Sequence, residues 1–253
     1  MNSPFSLEHK TIVVTGASSG IGRQCAIDCS KMGAKVVVIA RNQERLNETL
    51  SMLDGVGHRS YSYDLSNLEG ISDLVSSVVV DCGCIDGMIC AAGIEKTLPL
   101  KLLKPSDYMG VINVNTLSAI EMARNVTSVK FFNEIGGSIV FIASIASVIA
   151  RNGTAAYTAS KGALVSTTRV FASELSKRKI RVNCISPGTV CTPMVRDFLA
   201  SLSQEEFNKR INGFPLGLGD TKDVSMACVY LLSDASRWMT GQNLIIDGGY
   251  TIK

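Results

Sequence analysis

Tyr157 and Lys161 stand four residues apart in Tyr157-Thr158-Ala159-Ser160-Lys161. On a helix that spacing puts both side chains on one face, a turn apart. An ammonium beside a phenol favours the phenolate and draws its pKa below the ordinary value of about 10. A phenol tuned in this way gives a proton to a carbonyl oxygen, or takes one from an alcohol, near neutral pH. The same spacing also occurs on plain solvated helix faces, so the pair carries chemistry only if the rest of the chain supplies a reaction for it.

A second constellation lies near the N-terminus. Thr11-Ile12-Val13-Val14-Thr15 runs into Gly16-Ala17-Ser18-Ser19-Gly20-Ile21-Gly22. A strand that enters a glycine-rich turn and then a helix is the context for holding a pyrophosphate. Glycines allow close backbone approach, and the helix start offers N–H groups and a positive dipole end. Gly16, Ser18, Ser19, Gly20, Ile21 and Gly22 are therefore candidate cofactor residues. In such a fold an acidic residue at the end of the second strand holds the ribose 2′-hydroxyl of NAD. Here Ala40 and Arg41 occupy that point. The missing carboxylate removes repulsion against a 2′-phosphate, and the guanidinium offers a fork to grip one, which favours NADP(H) over NAD(H). Asp64, followed by Leu65, closes the third strand. It is placed to hydrogen-bond an adenine edge, or equally to serve the N-cap region of a helix near Ser66.

Elements that could position these residues are readable from patterning. Short apolar, β-branched runs fall at 11–15, 35–40, 60–63, 87–91, 138–143, 181–185 and 243–246. Several are apolar throughout, as strands buried on both faces are. Helical patterns fall at 21–32, 43–52, 68–80, 105–132, 155–177 and 222–232. Strand followed by helix, repeated six times, predicts an α/β fold: a doubly wound, Rossmann-type parallel sheet of about seven strands with helices on both faces. No linker or composition break appears, so residues 1–253 read as one domain. Within it, 188–220 reads as a substrate-lid region with a helical piece at 194–211, and Met194, Phe198 and Phe214 are lid residues that would meet a partly apolar substrate.

The 253 residues are 46% hydrophobic and carry a net charge of +3 with no basic block, which argues against nucleic acid or an anionic membrane surface as partner. Residues 1–10 hold no apolar run of the secretory kind, and no apolar stretch approaches a membrane span. Eight scattered cysteines and two histidines lack metal-ligand spacing, so no metal is expected. Thiols of this kind suit a reducing cytoplasm.

Taken together the motifs resemble the short-chain dehydrogenase/reductase family in its single-domain form, over nearly the whole chain. Thr15-Gly16-x-x-x-Gly20-x-Gly22 is similar to that family's cofactor motif. Cys90-Ala91-Ala92-Gly93 resembles its N-N-A-G, with Cys and Ala replacing the two asparagines and removing side-chain hydrogen bonds that brace the sheet. The resemblance implies that Asn115, Ser144, Tyr157 and Lys161 are catalytic, Ser144 standing thirteen residues before Tyr157. It implies cofactor contacts from Ala91, Ala92, Gly93, Pro187, Gly188, Val190 and Thr192, and from Tyr157 and Lys161 themselves. Asp247-Gly248-Gly249 matches its C-terminal D-G-G. In the implied mechanism Tyr157 protonates the substrate oxygen, Ser144 holds and polarises it, Lys161 lowers the Tyr157 pKa and bonds the nicotinamide ribose, and Asn115 orients a water that links Lys161 to solvent. A homotetramer assembled through the helices at 105–132 and 155–177 is also implied.

The expected activity is NADPH-dependent reduction of a ketone. The closest general type is the 3-oxoacyl-acyl carrier protein reductase, for which Lys177 and Arg178 are candidate carrier contacts. Glu95 either faces the substrate pocket or is solvated. Two other readings stay open: an NAD-dependent secondary-alcohol dehydrogenase, which Arg41 opposes, and a non-catalytic cofactor-binding or sensor protein, which the intact Tyr157/Lys161 pair opposes.

Overall fold

The computed structural model describes residues 3–200 and 202–252. The β-branched runs form β1 (Thr11–Thr15), β2 (Lys35–Ala40), β3 (Arg59–Ser62), β4 (Gly87–Cys90), β5 (Gly137–Ile142), β6 (Ile180–Pro187) and β7 (Asn243–Ile246). They join in one parallel sheet of order β3-β2-β1-β4-β5-β6-β7. The connecting helices are α1 (Gly20–Lys31), α2 (Gln43–Ser51), α3 (Ile71–Cys82), α4 (Pro105–Ile112), α5 (Ser118–Val126), α6 (Ala155–Leu175), α7 (Pro193–Ala200), α8 (Gln204–Ile211) and α9 (Thr221–Leu232).

Strands that are apolar on both faces require helices on both faces, and alternate residues serve separate cores. Val13, Val37, Ile39, Met88 and Phe141 point into one core with Leu74 of α3, Met122 of α5 and Leu164 of α6. Ile12, Val14, Val36, Val38 and Val140 point into the other with Cys25 of α1, Leu46 of α2 and Val229 of α9. The order of strand addition reverses between β1 and β4, so the loops that leave their C-terminal ends diverge and open the crevice where ligands of such sheets bind.

Two helical patterns end differently from expectation. The stretch 105–132 is not one helix. It passes through a π-helical turn, Asn113–Leu117, between α4 and α5, and α5 stops at Val126. The piece at 194–211 is two helices, because Ser203 starts a new one: Glu206 N–H donates to Ser203 Oγ (3.3 Å) and Ser203 N–H to Glu206 Oε2 (2.9 Å), a reciprocal cap. The side chains of Met194 and Phe198 lie outside the described residues. Phe214 is buried, its ring 4.6 Å from that of Tyr250, so it packs on the C-terminal segment.

On α6 the residues Ala156, Ser160, Leu164, Thr168 and Ala172, each four apart, are buried, whereas Ala155 and Ala159 are exposed. In the single chain this helix is therefore covered on one side only, not on more than one. Lys177 and Arg178 follow the end of α6, twenty residues beyond Tyr157. At the helical rise that is roughly 30 Å from the phenol. Arg178 is spent on the Thr127 carbonyl. These two cations do not flank the site.

Among the described residues no helix is long and apolar enough to cross a membrane. Phe141 is wholly buried and stacks edge-on to Phe171 with ring centroids 6.1 Å apart. Phe141→Ala should lower unfolding stability by about 3–5 kcal/mol, read from the denaturant midpoint at unchanged slope.

Candidate active site

The candidate cofactor and catalytic residues gather around the C-terminal ends of β1, β2, β4, β5 and β6. Gly16 leaves β1 at φ +67°, and a side chain there would stand 2.7 Å from the Ala92 backbone, so glycine is required where the β1 and β4 loops touch. Gly22 lies as tightly on the Gly16 carbonyl. A side chain on Gly20 would meet Thr192 Cγ2 at 3.1 Å, and beside it a cavity of about 220 Å³ is lined by Ser19, Gly20, Arg23, Cys191, Pro193 and Arg196. Ser19 caps α1 without a side-chain hydrogen bond, which leaves the first N–H groups of that helix available to an anion. Ile21 follows inside the helix, and Ser18 is fixed by Arg23, whose Nη2 donates to its carbonyl (2.6 Å).

Arg41 is exposed just beyond β2, and its carbonyl accepts from Ser62 Oγ (2.9 Å). Asp64, also exposed, accepts from the Ser66 N–H (3.0 Å), the bond that holds its carboxyl below the usual carboxylate range. This is a local turn and not a helix cap, for α3 begins only at Ile71. Leu65 beside it is buried.

Cys90, standing where an asparagine was expected, is packed in the sheet, and burial pushes its thiol up to about 12. A brace survives without the asparagines, since Ala92 N–H donates to Thr15 Oγ1 (3.3 Å). Ala91 and Ala92 then lead to Gly93. A side-chain carbon on Gly93 would lie 3.3 Å from Asn115 Oδ1 and 3.4 Å from Lys161 Nζ. Absence of a side chain keeps that space open between the glycine loop and the catalytic candidates. Pro187 ends β6, and Gly188 packs on Asp247. Val190 is buried and pairs in a short bridge with Gly219, and Thr192 Oγ1 accepts from Val195 N–H (3.3 Å).

Asn115 is the hub. It occupies the π-helical turn, 1% exposed. Its amide donates to the Ile94 carbonyl (2.9 Å) and to Ser160 Oγ (3.0 Å), and its oxygen accepts from the Ile94 N–H (2.8 Å). Thr116 Oγ1 adds a bond to the Ser160 carbonyl (2.9 Å). The β4 loop, the turn after α4 and the start of α6 are thereby locked together. Ser160 escaped the reading of the sequence, although it directly precedes Lys161. Its hydroxyl also donates to the Tyr157 carbonyl (2.7 Å).

Lys161 is 4% exposed, and its ammonium donates to the Ile142 carbonyl at 2.7 Å. Burial lowers its pKa from 10.5 to about 8. It lies 5.7 Å from the centre of the Tyr157 ring. Ser144 follows β5, its hydroxyl accepting from the Ala146 N–H (3.2 Å). Tyr157 does not behave as its spacing predicts. Burial raises its pKa, and the groups that pull it back are Ser144 and Arg151, with no contribution from Lys161. The ammonium is committed to Ile142, so in the protein alone the phenol stays protonated at neutral pH. Arg151 is a second residue that sequence reasoning missed. Glu95, expected at the pocket or in solvent, is paired with it.

These residues suit a dinucleotide. There is an uncapped helix start after a glycine loop, a glycine turn at Gly93 close against a buried lysine, and an arginine at the end of β2. A larger cavity, about 400 Å³, opens at the opposite edge of the sheet between His9, Lys35 and His58, away from all of them. No group of three metal-ligating side chains occurs among the described residues.

Comparison with known proteins agrees over the full length. A family model described as Enoyl-(Acyl carrier protein) reductase matches residues 16–251. The chain is 30% identical to glucose 1-dehydrogenase of Gluconobacter oxydans, covering 96% of this chain and 92% of that one. It is 31% identical to the 3-oxoacyl-[acyl-carrier-protein] reductase of Thermotoga maritima (97% and 99%) and 31% identical to D-threitol dehydrogenase of Mycolicibacterium smegmatis (98% and 95%). Among solved structures, a proposed NAD(P)-dependent gluconate 5-dehydrogenase from Beutenbergia cavernae with bound NADP superposes with a TM-score of 0.90 at 32% identity, covering 99% of this chain and 100% of that one.

The Lys161 ammonium is costly to bury, so the cost falls as the lysine deprotonates. With a folded pKa of about 8 against 10.5, wild-type stability should rise as pH climbs through that window. The melting temperature of Lys161→Met minus that of wild type, measured without cofactor, should therefore shrink from pH 8 towards pH 10.5.

Proposed function

The chain belongs to the short-chain dehydrogenase/reductase family, and from that premise we propose that it is an NADPH-dependent reductase of a secondary carbonyl. The observation that carries this reading is the Asn115 hub, which ties the Gly93–Ile94 turn to Ser160 at the start of α6, between Tyr157 and Lys161. NADPH, when bound, supplies the hydride.

The chain's own groups do the rest. Tyr157, protonated at neutral pH, is in the form that a reduction requires and gives its proton to the carbonyl oxygen. Ser144 donates a hydrogen bond to that oxygen and polarises it. Lys161, still largely cationic below its pKa of about 8, binds ribose hydroxyls, while Ser144 and Arg151 favour the phenolate that remains. The Asn115 amide hydrogens are both engaged, and its oxygen retains one lone pair for a water that returns a proton through Lys161.

Arg41 supports NADP(H) because β2 ends without a carboxylate and the guanidinium is exposed there. The NADP-bound structural relative agrees with this choice. Relatives divide between acyl-thioester reductases and sugar or polyol dehydrogenases. Lys177 and Arg178, far from the phenol, give the carrier-linked alternative no support. A homotetramer is in keeping with the exposed apolar residues Met109 on α4 and Val170 on α6. The eight unpaired cysteines suit a reducing cytoplasm.

Tyr157→Phe should bind NADPH as wild type does, by fluorescence titration, while turnover falls roughly 10²–10⁴-fold; near-normal turnover would remove the phenol from the mechanism. Arg41→Ala should weaken NADPH about tenfold or more, the worth of one charge-assisted hydrogen bond, with NADH little changed. Equal losses for both cofactors would count against a 2′-phosphate contact.

A further inference from the structure

The loop that leaves β4 and the loop that leaves β5 meet beside Tyr157, and an ion pair joins them. Arg151, six residues before Tyr157, donates to Glu95, two residues after Gly93. The backbone repeats the join nearby: Leu98 N–H donates to the Gly153 carbonyl (2.9 Å), and a side chain on Gly153 would stand 3.0 Å from Thr97 Cγ2. Both ends are anchored in the catalytic framework. Ile94 is clamped by Asn115 at its N–H and its carbonyl, and Thr154 Oγ1 binds the Arg151 carbonyl (2.7 Å) just before α6 starts. Arg151 is close enough to Tyr157 to act on its acidity.

The pair is neither buried nor loose: the Arg151 and Glu95 side chains are 38% and 26% exposed. Both hydrogen bonds that Glu95 receives, from Arg151 and from Thr97 (3.2 Å), fall on Oε1. Among the described residues no hydrogen bond falls on its Oε2, and the side chain is partly exposed. The neighbouring cation, Lys96, is engaged with Asp107 at 2.5 Å.

Such a wall disfavours two kinds of substrate. An acyl chain laid on it would strip water from charged groups and return no hydrogen bond. A carboxylate would have to displace Glu95 from Arg151, or lie against a like charge. A hydroxyl group fits, because it donates to Oε2 of a carboxylate that Arg151 holds in place and neutralises.

We propose that Glu95, positioned by Arg151, binds hydroxyl groups next to the reacting carbon, so that the substrate is a neutral polyhydroxylated carbonyl compound or its alcohol. This rests on the oxidoreductase reading above and narrows it.

The test measures kcat and KM with NADPH for wild type and Glu95→Gln. The substrates are a short neutral ketose, a keto acid of equal length, an unsubstituted cyclic ketone and a 3-oxoacyl N-acetylcysteamine thioester. The ketose should have the highest kcat/KM in wild type. Glu95→Gln should lower the ratio of ketose to cyclic-ketone kcat/KM roughly tenfold, the effect of losing one hydrogen bond to a charged group, and chiefly through KM. The same variant should improve the keto acid relative to the ketose, since the repelling charge is gone, and Glu95→Asp should recover part of the ratio. Wild-type preference for the thioester, the keto acid or the cyclic ketone would overturn the proposal, as would a ratio that Glu95→Gln leaves unmoved. Absence of turnover on all the substrates by folded protein would overturn the oxidoreductase reading with it, whereas turnover of the cyclic ketone without a gain from hydroxyls overturns this inference alone.

Discussion

One amide side chain carries the architecture of the site. Asn115 spends its three hydrogen bonds on Ile94 and Ser160, groups 21 and 45 residues away in sequence. None of the three segments it joins has a regular-structure reason to meet the others. Asn115 sits in a π-helical turn, a local irregularity of the helix, and is buried there. With the amide buried, an unmade bond would leave a polar group stranded, so the bonds are mutually enforcing. The junction sets the start of α6, with Tyr157 and Lys161, against the turn at Gly93.

Electrostatics in the site are set by burial first and by charge second. Lys161 is drawn down, and Tyr157 and Cys90 are drawn up, each mainly by desolvation. The resulting resting state has a neutral phenol and a lysine close to its titration point. Ser144 and Arg151 act on the acidity of the phenol, while the ammonium is bonded to the Ile142 carbonyl.

Much of this was legible in the sequence. Seven apolar runs became seven strands with ends displaced by no more than two residues, because strands buried on both faces admit little besides β-branched and apolar side chains. The glycine loop was equally plain, since Gly16 and Gly22 are demanded by contact with backbone. What could not be read was set by partners far along the chain. Residues 105–132 look helical throughout, and the π-helical turn at Asn113 carries the Asn115 bond to another loop, which local patterning does not reveal. Tyr157 and Lys161 have the expected spacing, yet the lysine turns to a carbonyl 19 residues away. Glu95 and Arg151 are 56 residues apart, and neither position hints at the other. The division of 194–211 into two helices differs in kind, for the Ser203/Glu206 cap is a local signal.

The seam between the β4 and β5 loops has a consequence for how this protein can change. Its side-chain pair and the Leu98–Gly153 backbone bond make the two loops one mechanical body, so neither is an independent module. A loop transplanted alone from a relative would bring half a charge pair and half a backbone contact, and would lose order as well as selectivity. Viable chimaeras must exchange both loops together. By the same logic, natural divergence of substrate preference in chains of this build should proceed through paired replacements at these two places, with the junction beneath left untouched.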